Sequence, residues 1–380
     1  MVGIGIWWRA APDSYPFGPG DRFSDLSMVA SVSPGTAAQV LLWTGSASIC
    51  LAFLLLSRLH LPRWLQAVMG SWAALLAVTF AFVVPDIQLL ILLAYAVTLA
   101  IPSAVAFVVV WRLARLAGRP PQVALRQAKS SAAVLFGLTV AGLVVGRPWL
   151  WGDRPPDVSL TRPALLLTFL ATGLAWAAVG LRLLRRFRGT CLRCGRPGRA
   201  WTHPASAARW GRAVTIAAAL TPLPYVLARL TWLTPWPYGE SHEVLAANPS
   251  LWLWGLGLAA AGEVGTWLTL GLIRDRGETF PSWVPALGGR TVPVMGALIP
   301  GAAVALLMCI AGHSIVQQAL APGAAAADRA LVILVPLPVW GPLLGAAVLA
   351  YWYRRRPPCR LRCSVVGGVG PVAAATQRAR

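Results

Sequence analysis

Apolar residues along this chain gather into runs of about 20, close to the number of helical residues needed to cross a hydrocarbon core about 30 Å thick. Nine such runs occupy roughly 38–57, 65–84, 88–111, 131–147, 163–181, 213–233, 251–272, 292–313 and 330–353. Each predicts a helix. An isolated strand would leave its backbone groups unsatisfied in lipid, and the runs lack the apolar-polar alternation of a barrel wall. The expected fold class is all-α, a polytopic transmembrane helix bundle of about nine spans. Residues 38–353 form the helical domain, between an N-terminal tail, 1–37, and a basic tail, 354–380.

Composition agrees with this reading. Of the 380 residues, 57% are hydrophobic and only 12% charged, about half the charged fraction of ordinary soluble domains, which excludes a soluble enzyme. The net charge of +21 would suggest nucleic-acid binding in a soluble protein. Here Lys129 is the only lysine beside many arginines, and Ala, Gly, Pro and Trp are abundant. That is the coding bias of a GC-rich bacterial genome, and no nucleic acid is expected as a partner.

The arginines also set an orientation, since positive charge is retained on the cytoplasmic side of short loops. Twenty-six of the 33 basic residues lie in 58–64, 112–130, 182–212, 273–291 and 354–380, and six lie in the alternate segments. Asp21, Asp25, Asp86 and Asp328 are among the acidic residues of the arginine-poor side. The N-terminus is therefore expected outside and the C-terminus inside, in a bacterial cytoplasmic membrane. Residues 1–37, rich in Pro, Gly, Asp and Ser, are expected to be a flexible outer tail. They lack the pattern of a cleaved signal, and Met28 is an alternative start.

The strongest local motif is Cys191-Leu-Arg-Cys194-Gly195 in the long inner loop, half of a structural zinc site by its spacing. Cys359 and Cys363 in the tail supply a second pair on the same side. Four thiolates would clasp tail to loop around a structural zinc, with His203 an alternative fourth ligand. Two unrelated pairs of reduced cysteines, or a redox pair, are the competing readings. Within the runs, Arg229 and Glu263 are the ionisable residues, and intramembrane charge is a functional pointer by default. Arg229 can snorkel outward, whereas Glu263, between Gly262 and Gly265, is expected to face protein. Prolines interrupt the third run (Pro102), the sixth (Pro222 and Pro224) and the ninth (Pro336 and Pro338). Broken helices of this kind mark transporter sites. Gly142 with Gly146 and Gly341 with Gly345 are spaced for close helix packing. In the outer loops, Asp153, Asp157, Glu240, His242 and Glu243 offer divalent-cation ligands at no established spacing.

The inner loop Arg274–Arg290 mixes both charge signs, turns and aromatics, and is expected to fold on itself. With Cys191, Cys194, Gly195 and Arg196, its residues Arg274, Gly277, Glu278, Phe280, Pro281, Trp283, Pro285, Leu287, Gly289, Arg290, Val292 and Pro293 form a pattern. It resembles a family of multi-spanning membrane proteins of GC-rich, actinobacterial-type bacteria. The resemblance covers roughly the second half of the chain, implies that the two loops act as a unit, and brings no activity with it. Phosphate-loop, GxGxxG, GxSxG and HExxH motifs are absent, which disfavours an enzyme. Two functions stay open. One is a noncatalytic scaffold or sensor whose basic inner face binds anionic lipid or an acidic cytosolic protein. The other is a secondary transporter or permease using the broken helices and Glu263.

Overall fold

A computed structural model describes residues 1–18, 21, 23–56, 62–145, 160–191, 200–282, 284 and 287–356. The described chain is an all-α bundle: its regular elements are helices, and its only bridge of β type joins Thr279 to Thr291. In chain order the helices are α1 (Val2–Ala10), α2 (Pro34–Leu56), α3 (Arg63–Val78), α4 (Gln88–Leu116), α5 (Pro121–Val145), α6 (Thr161–Phe187) and α7 (Pro204–Leu220). There follow α8 (Leu223–Leu230), α9 (His242–Ala247), α10 (Pro249–Gly271), α11 (Val294–Leu320), α12 (Ala326–Leu334) and α13 (Leu337–Arg355).

Among the described residues, six segments are long and apolar enough to cross a membrane: Pro34–Leu55, Arg63–Val83, Thr161–Phe187, Pro204–Leu233, Val294–Leu320 and Asp328–Arg355. Between 17% and 33% of each one's most apolar stretch is buried within the bundle. The remainder presents large side chains outward, among them Trp43, Phe53, Ile299 and Ile333. Soluble monomers seldom expose apolar surface on that scale. The third, fourth and seventh apolar runs of the sequence are helical as well, as α4, α5 and α10.

The three proline-marked runs behave differently. Pro102 lies inside a continuous α4. The sixth run breaks between α7 and α8, and the ninth between α12 and α13. In both breaks a proline is the N-cap of the new helix and a second proline stands in its first turn, as Pro222 with Pro224 and Pro336 with Pro338. First-turn N–H groups have no partner within the helix, so proline starts a helix there at no cost in hydrogen bonds. A lone proline removes one bond, and the rest of a long helix tolerates it. A further irregularity ends α3, which widens into a π-helical turn over Thr79–Val83.

Two apolar clusters hold the bundle together. The first joins α2, α3 and α6 to the N-terminal segment through Trp8, Phe17, Leu41, Phe80, Leu166 and Phe169. Where the sequence leads one to expect a flexible tail, the chain instead forms α1, and Trp8 and Phe17 are 2% and 1% exposed. Trp8 packs edge-on against Tyr15 at 4.8 Å, and Phe80 stacks on Phe169 at 5.9 Å. Low overall hydrophobicity hid these few aromatic anchors. The second cluster joins α11 to α13 through Met308, Ile315, Leu344, Val348 and Tyr351. Gly341 lies where these helices cross, since a Cβ there would stand 2.7 Å from both the backbone nitrogen and the Sγ of Cys309.

Candidate functional site

A cavity of about 1090 Å³ opens beside the break in the ninth run. One wall is the last three turns or so of α11, with Cys309, His313, Gln317 and Gln318. Pro338 and Pro342 of α13, Phe82 of the π-helical turn and Asp328 of α12 form others. Asp25 and Met28 close it from the N-terminal segment. Each boundary follows from a local irregularity already described: the proline break turns α13 away from α12, and the widened turn brings Phe82 toward α11.

His313 is the central polar group. Its Nε2 lies 2.7 Å from the Phe82 carbonyl oxygen and its ring stands edge-on to the Phe82 ring at 4.8 Å. Widened turns displace carbonyls from the regular helical ladder, a feature that recurs at functional sites. The Nδ1 of His313 and the Oε1 of Gln317 are buried without a hydrogen-bond partner. These residues are spaced i, i+4 and so share a helix face. Gln318 donates to Asp328 Oδ1 at 2.9 Å, and Asp328 Oδ2 accepts from the backbone of Ala325 at 2.9 Å. Sequence reading ended this helix near residue 313. The helix in fact continues to Leu320, which places His313 about 10 Å inside its end at 1.5 Å per residue.

At the same end of the bundle, Arg162 forms a buried charge cluster. Its Nη2 pairs with Asp21 at 2.7 Å and with Asp86 at 2.6 Å, and all three side chains are less than a tenth exposed. Nη1 donates to Gln88 Oε1 at 2.5 Å. The guanidinium lies 5.1 Å from the Phe17 ring centroid and 4.8 Å from that of Phe23. Asp21, Asp86 and Arg162 all belong to segments that the arginine distribution assigns to the outer side, and they meet in space. Burial, reinforced by the nearby charge of Asp21, pushes the Tyr15 phenol up to about 12.

The opposite end is built around the loop after α10. Phe280 N donates to Arg290 O and Val292 N to Glu278 O, at 2.9 and 2.8 Å, so the loop does fold on itself. The end of α13 grips it. Tyr351 Oη and Arg355 Nη1 each donate to Gly277 O at 2.8 Å, and Arg354 pairs with Glu278 at 3.1 Å. The motif glycines have physical reasons here. A Cβ on Gly277 would stand 1.9 Å from the Gly271 carbonyl oxygen, and Gly289 has φ +77°. Arg356 Nη2 donates to Thr202 O at 3.3 Å, and Tyr353 packs edge-on against Trp201 at 5.2 Å. The end of α13 thus touches the segment that leads into α7.

The residues nominated by sequence are dispersed. Glu263 is on an exposed face of α10 instead of facing protein; the packed face is the one that carries Gly255 and Gly262 against Trp232 and Val226. Arg229 lies over the rings of Tyr225 and Trp232 at 5.0 and 4.2 Å. Among the described residues no ion pair joins it to Glu263. Cys191 is half-buried just beyond α6. Cys194, Cys359 and Cys363 lie outside the described residues, as do Asp153 and Asp157. Among those described, no group of three or more His, Cys, Asp or Glu side chains is placed to hold a metal. His242 faces the Pro235 carbonyl oxygen at 3.0 Å.

These features define a class, an all-α bundle of long apolar helices with a largely apolar cavity, holding a few polar groups, at a helix break. No protein family, curated protein or solved structure matches the chain.

Proposed function

We propose that this chain is a multi-pass protein of a bacterial cytoplasmic membrane, with nine spans, N-terminus outside and C-terminus inside. We further propose that it acts as a permease-type carrier, admitting a small polar solute from the outer side into the cavity beside its broken ninth span. The observation that carries this reading is the pair of buried, unpartnered polar atoms on His313 and Gln317 at that cavity. A buried polar atom costs stability unless something satisfies it, and a broken helix is where carriers place their ligands. Glu263, exposed on α10, takes no part. Uptake of small radiolabelled cationic, neutral and anionic solutes into proteoliposomes tests the proposal. Flux that requires the protein and falls at least tenfold in Gln317→Leu supports it. Absence of protein-dependent flux across the whole set removes it.

A second reading, a scaffold or sensor with a basic inner face, draws support from the gripped inner loop. The contacts of Tyr351, Arg354 and Arg355 hold that face rigid, as a surface for anionic lipid or an acidic cytosolic protein would require. A structural zinc on Cys191, Cys194, Cys359 and Cys363 belongs to this reading, with the contact of Arg356 to Thr202 bringing loop and tail together. Elemental mass spectrometry of the native chain and Cys191→Ser/Cys194→Ser tests it. About one zinc per chain, lost in the variant, is the expected result, and a metal-free native chain removes the clasp.

A further inference from the structure

The cavity has a chemical bias that names its ligand class. Its described lining holds the carboxylates of Asp25 and Asp328 and no lysine or arginine. In a chain of net charge +21, a cavity bounded by acids alone stands out from the average surface.

The inner atoms add to the bias. A carbonyl oxygen can only accept, so in the contact with Phe82 O the proton sits on His313 Nε2. The neutral ring then leaves its lone pair on Nδ1, and the Pro85 carbonyl lies near the ring as well. Gln317 Oε1 is an acceptor by nature, and both atoms are buried without a donor. Of the donors nearby, Gln318 Nε2 gives one N–H to Asp328, and Gln317 carries its own amide N–H2 beside Oε1. Two carboxylates and two unpartnered acceptors, with no cationic side chain in the described lining, match a ligand that is rich in donors and positively charged.

Resting on the carrier reading above, we infer that the cavity binds a small organic cation carrying a primary ammonium group. The ammonium offers three N–H donors and no acceptor, which fits two unpartnered acceptors and a carboxylate. An anion would meet Asp25 and Asp328 at the entrance and find acceptors inside. A neutral diol would satisfy the inner atoms without gaining from the acids. The cavity is large enough for a chain of several carbons between polar ends.

Cys309 lines the same cavity and reports its occupancy. Purified full-length protein in nanodiscs is treated with a small hydrophilic thiol reagent, and labelling of Cys309 is read by site-resolved mass spectrometry. Three four-carbon probes are compared: 1,4-diaminobutane, 1,4-butanediol and succinate. The expected result is saturable protection by the diamine, at least tenfold stronger than by the diol, with none by succinate. Gln317→Leu should weaken the diamine at least tenfold, Gln317→Glu should tighten it, and Glu263→Gln should leave it unchanged. Gln317→Glu keeps the side-chain shape, so it answers the question even if the leucine variant folds poorly. Equal or better protection by diol or succinate overturns the cationic assignment while leaving a solute cavity in place. A reactive Cys309 that none of the three protects does the same. A Cys309 that never reacts overturns the cavity reading itself.

Discussion

Replacing Arg162 with methionine tests whether charge pairing docks the N-terminal segment. In the native chain one guanidinium nitrogen serves Asp21 at 2.7 Å and Asp86 at 2.6 Å, with Asp86 only 1% exposed. Methionine keeps much of the volume and removes the charge. Two carboxylates then face each other at a site closed to water, and Asp21 can escape only if its segment lifts away. Removing one member of a buried pair costs about 3–5 kcal/mol, which at about 1.4 kcal/mol per decade raises the undocked fraction more than a hundredfold. Asp21→Asn leaves Arg162 and Asp86 as a balanced pair and loses only the charged part of one hydrogen bond, about 1–2 kcal/mol, or about tenfold. The assay is native-state proteolysis of residues 1–33 in detergent, where cleavage follows the opening equilibrium. Asp21→Leu/Asp86→Leu/Arg162→Met, which leaves no charge behind, should return cleavage to within a few-fold of native. Equal cleavage in the Met and Asn variants, or none above native in either, refutes the argument.

Other expectations follow from the same geometry. Gly341→Ala should lower stability by about 1–3 kcal/mol, because its Cβ has no room at the Cys309 backbone. Gly345→Ala, whose nearest neighbour is the Ala305 side chain at 3.7 Å, should be neutral, and thermal unfolding distinguishes the two. Tyr351→Phe removes a buried hydroxyl bonded to Gly277 O and to Arg355. It should loosen the loop after α10 by about 1–2 kcal/mol, read as faster tryptic cleavage near Arg274 and Arg290. The Tyr15 phenol is pushed up to about 12, so the docked segment holds this proton more tightly than a free chain does. Its contribution to docking is complete below pH about 10 and falls as pH rises toward 12. Absorbance titration of the native chain should show a late phenolate step that Tyr15→Phe lacks.

The helices were legible because a run of apolar residues of membrane length has few alternatives. The breaks at Pro222 and Pro336 were legible too, since two prolines two residues apart favour a restart where one, Pro102, does not. The sites were far less so. Arg162 meets Asp86 across 76 positions and Asp21 across 141, and charge sorting places such residues on one side without pairing them. His313 was hidden because its helix runs on through Gln317 and Gln318, polar residues that resemble the start of a loop. Glu263 was misjudged because α10 is apolar on nearly every face, and neighbouring glycines do not say which face packs.

The widened turn at Thr79–Val83 has a consequence for how the cavity and the Arg162 cluster are connected. Its Phe82 carbonyl receives His313, and four residues later Asp86 receives Arg162. Deleting a single residue here would restore regular winding and draw the Phe82 carbonyl back into the helical ladder, taking away the partner of His313. The cavity and the anchor of the N-terminal segment are thus geared to one short piece of backbone. Any displacement of His313 acts on the same turn that leads into Asp86, and through it on the segment that carries Asp25 to the cavity wall.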